Sequence, residues 1–245
     1  MRRFFYDPAD EVADHVLING GEAHHLKTVL RMRLGDTAEL LDGRGGALFG
    51  EIERISADSV SFRILSRRAE PESRSPLTLV MALLKGKKMD TVVQKATELG
   101  VSSFIPVITR YCEPQGRDSQ LLDRWQRIML EACKQCGRAR LMKISPPQPL
   151  PELRFPAESR KIMPWENETA CSFAAADIKP GQPLILLVGP EGGFHPAEVE
   201  QARSCGFSIV SLGPRVLRAE TAAVAAAVLA QHLLGSLEPP DHPIF

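Results

Sequence analysis

The chain of 245 residues carries no net charge, 30 basic residues against 30 acidic, so its overall balance provides no pull toward nucleic acid or an anionic membrane. It has five cysteines, Cys112, Cys133, Cys136, Cys171 and Cys205, an odd number without the spacing of a disulfide framework. No apolar run approaches the length of a membrane span. The first residues, MRRFFYDPADE, lack the apolar core of a signal peptide. These absences predict a cytoplasmic, reduced protein with no membrane association. Repeats and low-complexity tracts are missing too. What remains is ordinary for a globular protein, 44% hydrophobic and 24% charged, with room for one large domain or a small one beside a medium one.

The zero sum hides a division. Residues 1–70 hold ten basic against twelve acidic side chains, 85–140 hold eleven against six, and 141–245 hold eight against eleven. A surplus of that size, confined to the middle, suits local phosphate contacts more than long-range steering.

The most informative stretch runs from Leu184 to Leu234. Leu184–Val188 and Phe207–Leu212 are apolar runs of strand length, each leading into Gly-Pro. Between them a helix is well punctuated: Pro196 suits its first position, Glu198 and Glu200 its first turn, and Gly206 its end. A strand-helix-strand crossover predicts neighbouring parallel strands whose following loops, Gly189–Phe194 and Gly213–Ala219, meet at one edge of an α/β sheet.

In the first loop, Gly189, Gly192 and Gly193 leave the backbone open to close approach, and Glu191 adds one carboxylate. The spacing is not G-x-G-x-x-G, and no Gly-Lys-Ser/Thr follows to hold a phosphate. Such a loop suits a neutral or cationic ligand containing adenine better than a polyphosphate; a plain tight turn is the other reading. The second loop brings Arg215, Arg218 and Glu220 to the same edge. The helix after it, Thr221–Leu234, is alanine-rich and apolar nearly all round, which predicts cover on most sides, by the core or by a second subunit.

Upstream, Arg2–Tyr6, Ala38–Leu41, Ala47–Ile55 and Val60–Leu65 read as strands, with a turn at Asp42–Gly46, and suggest a small barrel. His24 and His25 sit on a helix candidate, Glu22–Leu30, but point different ways and have no third partner, so no metal is expected. The polar stretch AEPESRSP reads as a linker. Beyond it come a strand at Leu77–Leu83, a helix over 88–99 and a strand at Phe104–Ile108. Lys85, Lys87 and Lys88 fall in the loop after the first of these strands, and Arg110 follows the next; they are either solvated turns or phosphate contacts. Ser119–Cys136 is the longest helical pattern, and its Cys133-x-x-Cys136 lacks a second pair for zinc, so packing is the expected role. Trp165, after a short strand at Arg160–Met163, is either a buried loop aromatic or a stacking surface for a base or adenine.

The motifs VGPEGG, SLGPRVLRAETA, KMDTVVQKATELGV, EACKQCGR and HHLKTVLRMRLGD, spread over nearly the whole chain, resemble those of the ribosomal RNA small subunit methyltransferase E family in the SPOUT class. The resemblance implies an α/β fold, a parallel sheet with a C-terminal trefoil knot over residues 77–245. Before it would come a PUA-like β-barrel that binds RNA over 1–70, and a linker at 71–76. It implies a homodimer that uses S-adenosylmethionine to methylate N3 of a uridine in 16S ribosomal RNA, free or in the assembled small subunit. Cofactor contacts would come from Met163, Pro164, Val188, Gly189, Glu191, Gly192, Gly193, Leu212, Gly213, Val216 and Leu217. RNA contacts would come from Arg31, Arg33, Lys85, Lys87, Lys88, Arg110, Gln135, Arg140 and Arg215.

For the chemistry, Arg138 or Arg218 would stabilise the uridine anion and Glu220 would accept the N3 proton. Glu220 pairing with Arg218, or capping the last helix, is the alternative. Met142 stands where the family often has proline. Three rival functions stay open: a non-catalytic RNA-binding assembly factor, the same chemistry on transfer RNA, and a dinucleotide oxidoreductase, the last disfavoured by the missing fingerprint.

Overall fold

The computed structural model describes residues 1–69, 73, 75–112 and 118–238. Half of the linker expected at 71–76, residues 71, 72 and 74, and residues 239–245 of the C-terminal tail lie outside that range. Contacts divide the chain into two compact units, 1–72 with Cys133–Leu141, and 73–132 with 142–245. No helix among the described residues is long and apolar enough to cross a membrane.

The first unit is a mixed sheet of β1 (Arg3–Phe5), β2 (Glu11–Val12), β3 (His15–Asn19), β4 (Thr37–Leu41), β5 (Gly46–Ile55) and β6 (Ser59–Ala69), in the order β1-β4-β5-β6-β3-β2. Only β1–β4 is parallel. The path stays open, a half-barrel of PUA-like type. The β4–β5 turn forms as expected, because Asp42 Oδ1 accepts the amides of Arg44 and Gly46 at 2.6 and 2.8 Å. Phe4, Val16, Leu26, Leu40, Ile52 and Phe62 fill the concave face, roofed by α1 (Gly20–His24) and the π turn that continues it through Val29.

Residues 133–141, expected with the second domain, group with the half-barrel. The cause is a cluster of charged groups gathered around one buried carboxylate. Arg3 Nη1 donates to the carbonyls of Lys134 and Gln135 at 3.0 Å each, while its Nε donates to Glu39 at 2.6 Å. Glu39, 4% exposed, takes Arg68 on its other oxygen at 2.8 Å, and Lys134 pairs with Glu22 at 2.5 Å. Orphan carbonyls at a helix end thus find a guanidinium. Gly137, with φ of +81°, lies so close that a Cβ there would meet Arg3 Nη2 at 2.9 Å.

The second unit is a parallel sheet of β7 (Leu77–Ala82), β8 (Ser103–Ile108), β9 (Lys143–Ile144), β10 (Gln148–Pro149), β11 (Arg160–Pro164), β12 (Leu184–Val188) and β13 (Ser208–Val210). The order is β10-β8-β7-β12-β11-β13, with β9 also on β8. β12 is buried at all five positions, as a central strand covered on both faces must be, and its sequence is correspondingly apolar throughout. One expectation is corrected here. The strands at 184–188 and 207–212 are not neighbours, since β11 lies between them and pairs with both β12 and β13. The crossover through α4 (Pro196–Ser204) therefore skips one strand.

The remaining helices are α2 (Lys88–Glu98), α3 (Asp118–Cys136) and α5 (Ala219–Leu233). α5 packs on α2, β7 and β12 through Ala219, Ala223, Ala226, Ala227 and Ala230, small side chains that permit close approach. Its Gln231 Nε2 donates to the Leu99 carbonyl at the end of α2 at 2.6 Å, again serving an orphan group. The cover expected on most sides of α5 is not complete in the single chain: Val228 and Leu229 are exposed.

Glu39→Ala should leave Arg3 and Arg68 without their shared counter-ion and lower stability by about 3 kcal/mol. The loss should be read as a fall in the urea midpoint at unchanged slope.

Candidate functional site

Parallel pairing brings the loops after β11, β12 and β13 to one edge of the second unit, where they enclose a cavity of about 930 Å³. Trp165–Ser172 forms one wall, Gly189–Phe194 the floor, and Ser211–Ala219 the other wall. The first wall is stitched to the third: Trp165 N donates to the Val210 carbonyl, Ser211 N to Cys171, and Phe173 N to Ser211, at 3.0, 2.7 and 3.1 Å.

The glycines are needed for different reasons. A Cβ on Gly189 would lie 2.8 Å from the ring of Phe194, which is buried. On Gly192 it would press on Tyr111 at 3.1 Å. Gly193 has φ of +70°, and the Glu166 carboxylate rests against it, 2.2 Å from where a Cβ would stand. That side chain can swing away; the backbone conformation cannot be relieved so easily.

After the loop, α4 carries a full capping box. His195 Nδ1 accepts from Ala197 N at 3.1 Å, and Glu198 accepts from His195 N at 2.9 Å. While Nδ1 accepts, a neutral imidazole carries its hydrogen on Nε2. The Arg110 guanidinium, 3.1 Å from Nε2, then faces another donor, so we read that approach as a contact and not a hydrogen bond.

Most loop positions expected to hold a cofactor line the cavity: Pro164, Val188, Gly189, Glu191, Gly192, Gly193, Leu212, Gly213, Val216 and Leu217. Met163 does not, being fully buried in the core. Arg215 and Arg218 line it too, exposed and without a side-chain partner among the described residues. Glu220 is not in the lining. Its Oε2 is buried and unpartnered, and among the described residues neither an ion pair with Arg218 nor a side-chain cap on α5 forms.

Of the basic residues expected at phosphates, Lys88 lines the cavity but pairs with Glu191 at 2.8 Å. Lys85 N donates to the same carboxylate oxygen at 3.1 Å. Lys87 is exposed, as is Arg110. Arg31, Arg33, Gln135, Arg138 and Arg140 belong to the first unit, where Arg138 Nε donates to the Arg140 carbonyl at 2.7 Å. Cys133 is buried and Cys136 exposed, so that pair does not converge on one ligand. No cluster of metal-binding side chains occurs among the described residues.

The start of this wall, Pro164-Trp165-Glu166 after the short strand at Arg160–Met163, was expected beside the two glycine loops from the family resemblance, and it lines the cavity; the rest, Glu168 to Ser172, was not singled out, because no local motif marks it. Trp165 Nε1 is buried there without a partner. Glu168 Oε1 caps the turn by accepting the amides of Ala170 and Cys171 at 2.8 and 3.1 Å, which, helped by Arg203, holds its carboxyl below the usual range.

S-adenosylmethionine fits what is present: backbone kept bare by glycine, an apolar floor at Val188 and Phe194, an orphaned indole N–H, and free charge of both signs at the walls.

The chain matches the family model for an RNA methyltransferase domain over residues 71–231 and that for an RNA methyltransferase PUA domain over 18–65. It is 31% identical over 230 residues to ribosomal RNA small subunit methyltransferase E of Buchnera aphidicola, covering 87% of this chain and 89% of that one. The Bacillus subtilis protein of the same name is 29% identical over 240 residues, with coverage of 91% and 93%. A crystal structure of the Neisseria gonorrhoeae enzyme of that name, bound to S-adenosyl methionine, superposes with a TM-score of 0.85 at 33% identity, covering 95% and 98%.

Burial raises the Glu191 carboxyl, but hydrogen bonds from Lys88 and from backbone amides outweigh it and leave the group below its ordinary value. Its contribution to stability should be full above the unfolded-state carboxylate pKa and lost as pH falls through the lowered folded value. The gap in urea midpoint between wild type and Glu191→Gln should therefore hold at pH 7 and close in acid.

Proposed function

The chain belongs to the ribosomal RNA small subunit methyltransferase E family, and from this premise we propose that it methylates N3 of a uridine in 16S ribosomal RNA, using S-adenosylmethionine. The observation that carries the reading is the meeting of three loops at one sheet edge around a glycine-floored cavity with unpaired arginines at its mouth. The bound cofactor supplies an electrophilic methyl group. Loop backbone aligns it, and alignment is the main work of a displacement reaction. Arg218 stabilises the uridine anion as N3 loses its proton. Arg138 contributes an RNA contact, and Glu220, whose Oε2 is buried, unpartnered and outside the cavity lining, would accept the proton only with its side chain turned toward the cavity.

Residues 1–70 are the proposed RNA-binding domain, reading backbone through Arg31 and Arg33, while residues 77–245 are the proposed methyltransferase domain. Gln135, Arg140, Arg215, Lys85, Lys87 and Arg110 add RNA contacts. Lys88 contributes less, its charge being matched by Glu191. Exposed Val216, Val228 and Leu229 support a homodimer in which the uncovered side of α5 meets a second chain, and a trefoil knot at the C-terminus completes the proposed architecture. The proposed location is the cytoplasm, with free RNA or the assembled small subunit as substrate.

Arg218→Ala should lower methylation by at least about a hundredfold while S-adenosylmethionine affinity, measured by calorimetry, stays within a few fold. Gly193→Val should abolish that binding, because a β-branched residue at its φ is a severe outlier. Full methylation by the arginine variant would remove Arg218 from the mechanism. Mass mapping of ribosomal RNA from a deletion strain tests the target, which should regain one methyl group on N3 of a uridine after treatment with the purified protein.

A further inference from the structure

The ionisable side chains lining the cavity are Lys88, Glu166, Glu168, Glu191, Arg215 and Arg218. Two of the three carboxylates are already engaged. Glu191 holds Lys88 and the Lys85 amide. Glu168 holds two amides with one oxygen and Arg203, at 3.5 Å, with the other. Glu166 has no hydrogen bond or ion pair with any described residue, and it is exposed. One carboxylate oxygen lies against Gly193, in space that any larger residue would occupy, so floor and wall meet at this group.

We propose that Glu166 is the residue by which the site tells the charged methyl donor from the neutral thioether product. This rests on the functional reading above. Substrate and product share adenine, ribose, ammonium and carboxylate; they differ in a methyl group and in the positive charge of the sulfonium. Backbone amides and apolar floor offer nothing selective for that charge, and the arginines at the mouth disfavour it. An unpaired carboxylate in the wall favours it, and the preference vanishes when transfer of the methyl group, with the sulfur keeping the bonding electron pair, leaves a neutral sulfur.

The interaction acts on the ground state. Positive charge at sulfur is already dispersing in the transition state, so Glu166 supports cofactor capture and product release more than the chemical step. It is therefore a specificity residue whose loss raises KM and does not lower kcat.

The test compares wild type and Glu166→Gln by calorimetry with S-adenosylmethionine, with S-adenosylhomocysteine, and with an analogue that carries a protonated amine in place of the sulfonium. Neutralisation should weaken the two charged ligands about tenfold, the effect of one solvent-screened charge nearby, and leave S-adenosylhomocysteine within about twofold. In turnover, KM for S-adenosylmethionine should rise to match, while kcat stays level or rises and does not fall. Equal losses for all three ligands would mean that Glu166 touches a group they share, such as the ammonium or the ribose, and would overturn the proposal, as would no loss at all. If wild type binds none of the three, the functional reading falls as well; if it binds them and the variant shows no charge-selective loss, only this proposal falls.

Discussion

Parallel pairing of β7, β8, β11, β12 and β13 delivers their carboxyl ends to a single edge, and the cavity is built from what the chain does just beyond it. The registers leave little freedom. Val188 sits opposite Met81, and Pro164 opposite Val210, so the loops at 165, 189 and 211 leave the sheet side by side. Insertion of β11 between β12 and β13 turns two loops into three. A ligand held there is gripped by backbone from segments distant in sequence, which a rigid sheet keeps in place without many side-chain contacts.

Charge inside the cavity is divided in a way that matches two dissimilar ligands. The methyl donor carries a sulfonium and an ammonium, whereas RNA brings phosphates and, in the proposed reaction, an anionic base. A site for both must keep carboxylate and guanidinium from cancelling each other. Here Glu191 is matched by Lys88 and Glu168 by amides and Arg203. That leaves Glu166 on one wall, and Arg215 and Arg218 on the other, unpaired within the described chain.

Local chemistry was legible in the sequence wherever it was sufficient. The strand at 184–188 follows from its composition, α4 from Pro196, Glu198 and Gly206, and the turn at 42–46 from Asp42 and its glycines, because each depends on residues a few positions apart. His195 as the cap was readable only in part, since imidazole is an unusual acceptor there. Strand order was not legible: nothing within 160–212 says that β13 passes β12 and settles on β11. The grouping of 133–141 with the half-barrel was equally hidden, because it depends on Arg3 meeting carbonyls 131 and 132 positions away. The exposed Val228 and Leu229 show the limit of composition itself, which registers how apolar α5 is but not which side the single chain covers.

The absence of net charge, which at first disfavours a nucleic-acid partner, is compatible with this arrangement once charge is considered by position. Electrostatic attraction between exposed groups fades beyond about 10 Å at moderate salt, so a chain with balanced totals can still present unpaired arginines where a base must dock. Glu39, held between Arg3 and Arg68, is used up in holding segments together and adds little to the field outside. What RNA would meet is the small set of side chains left over after internal pairing. Within the cavity that set is basic at Arg215 and Arg218 and acidic at Glu166, the one lining carboxylate without a partner among the described residues, where the proposed partner is a cation.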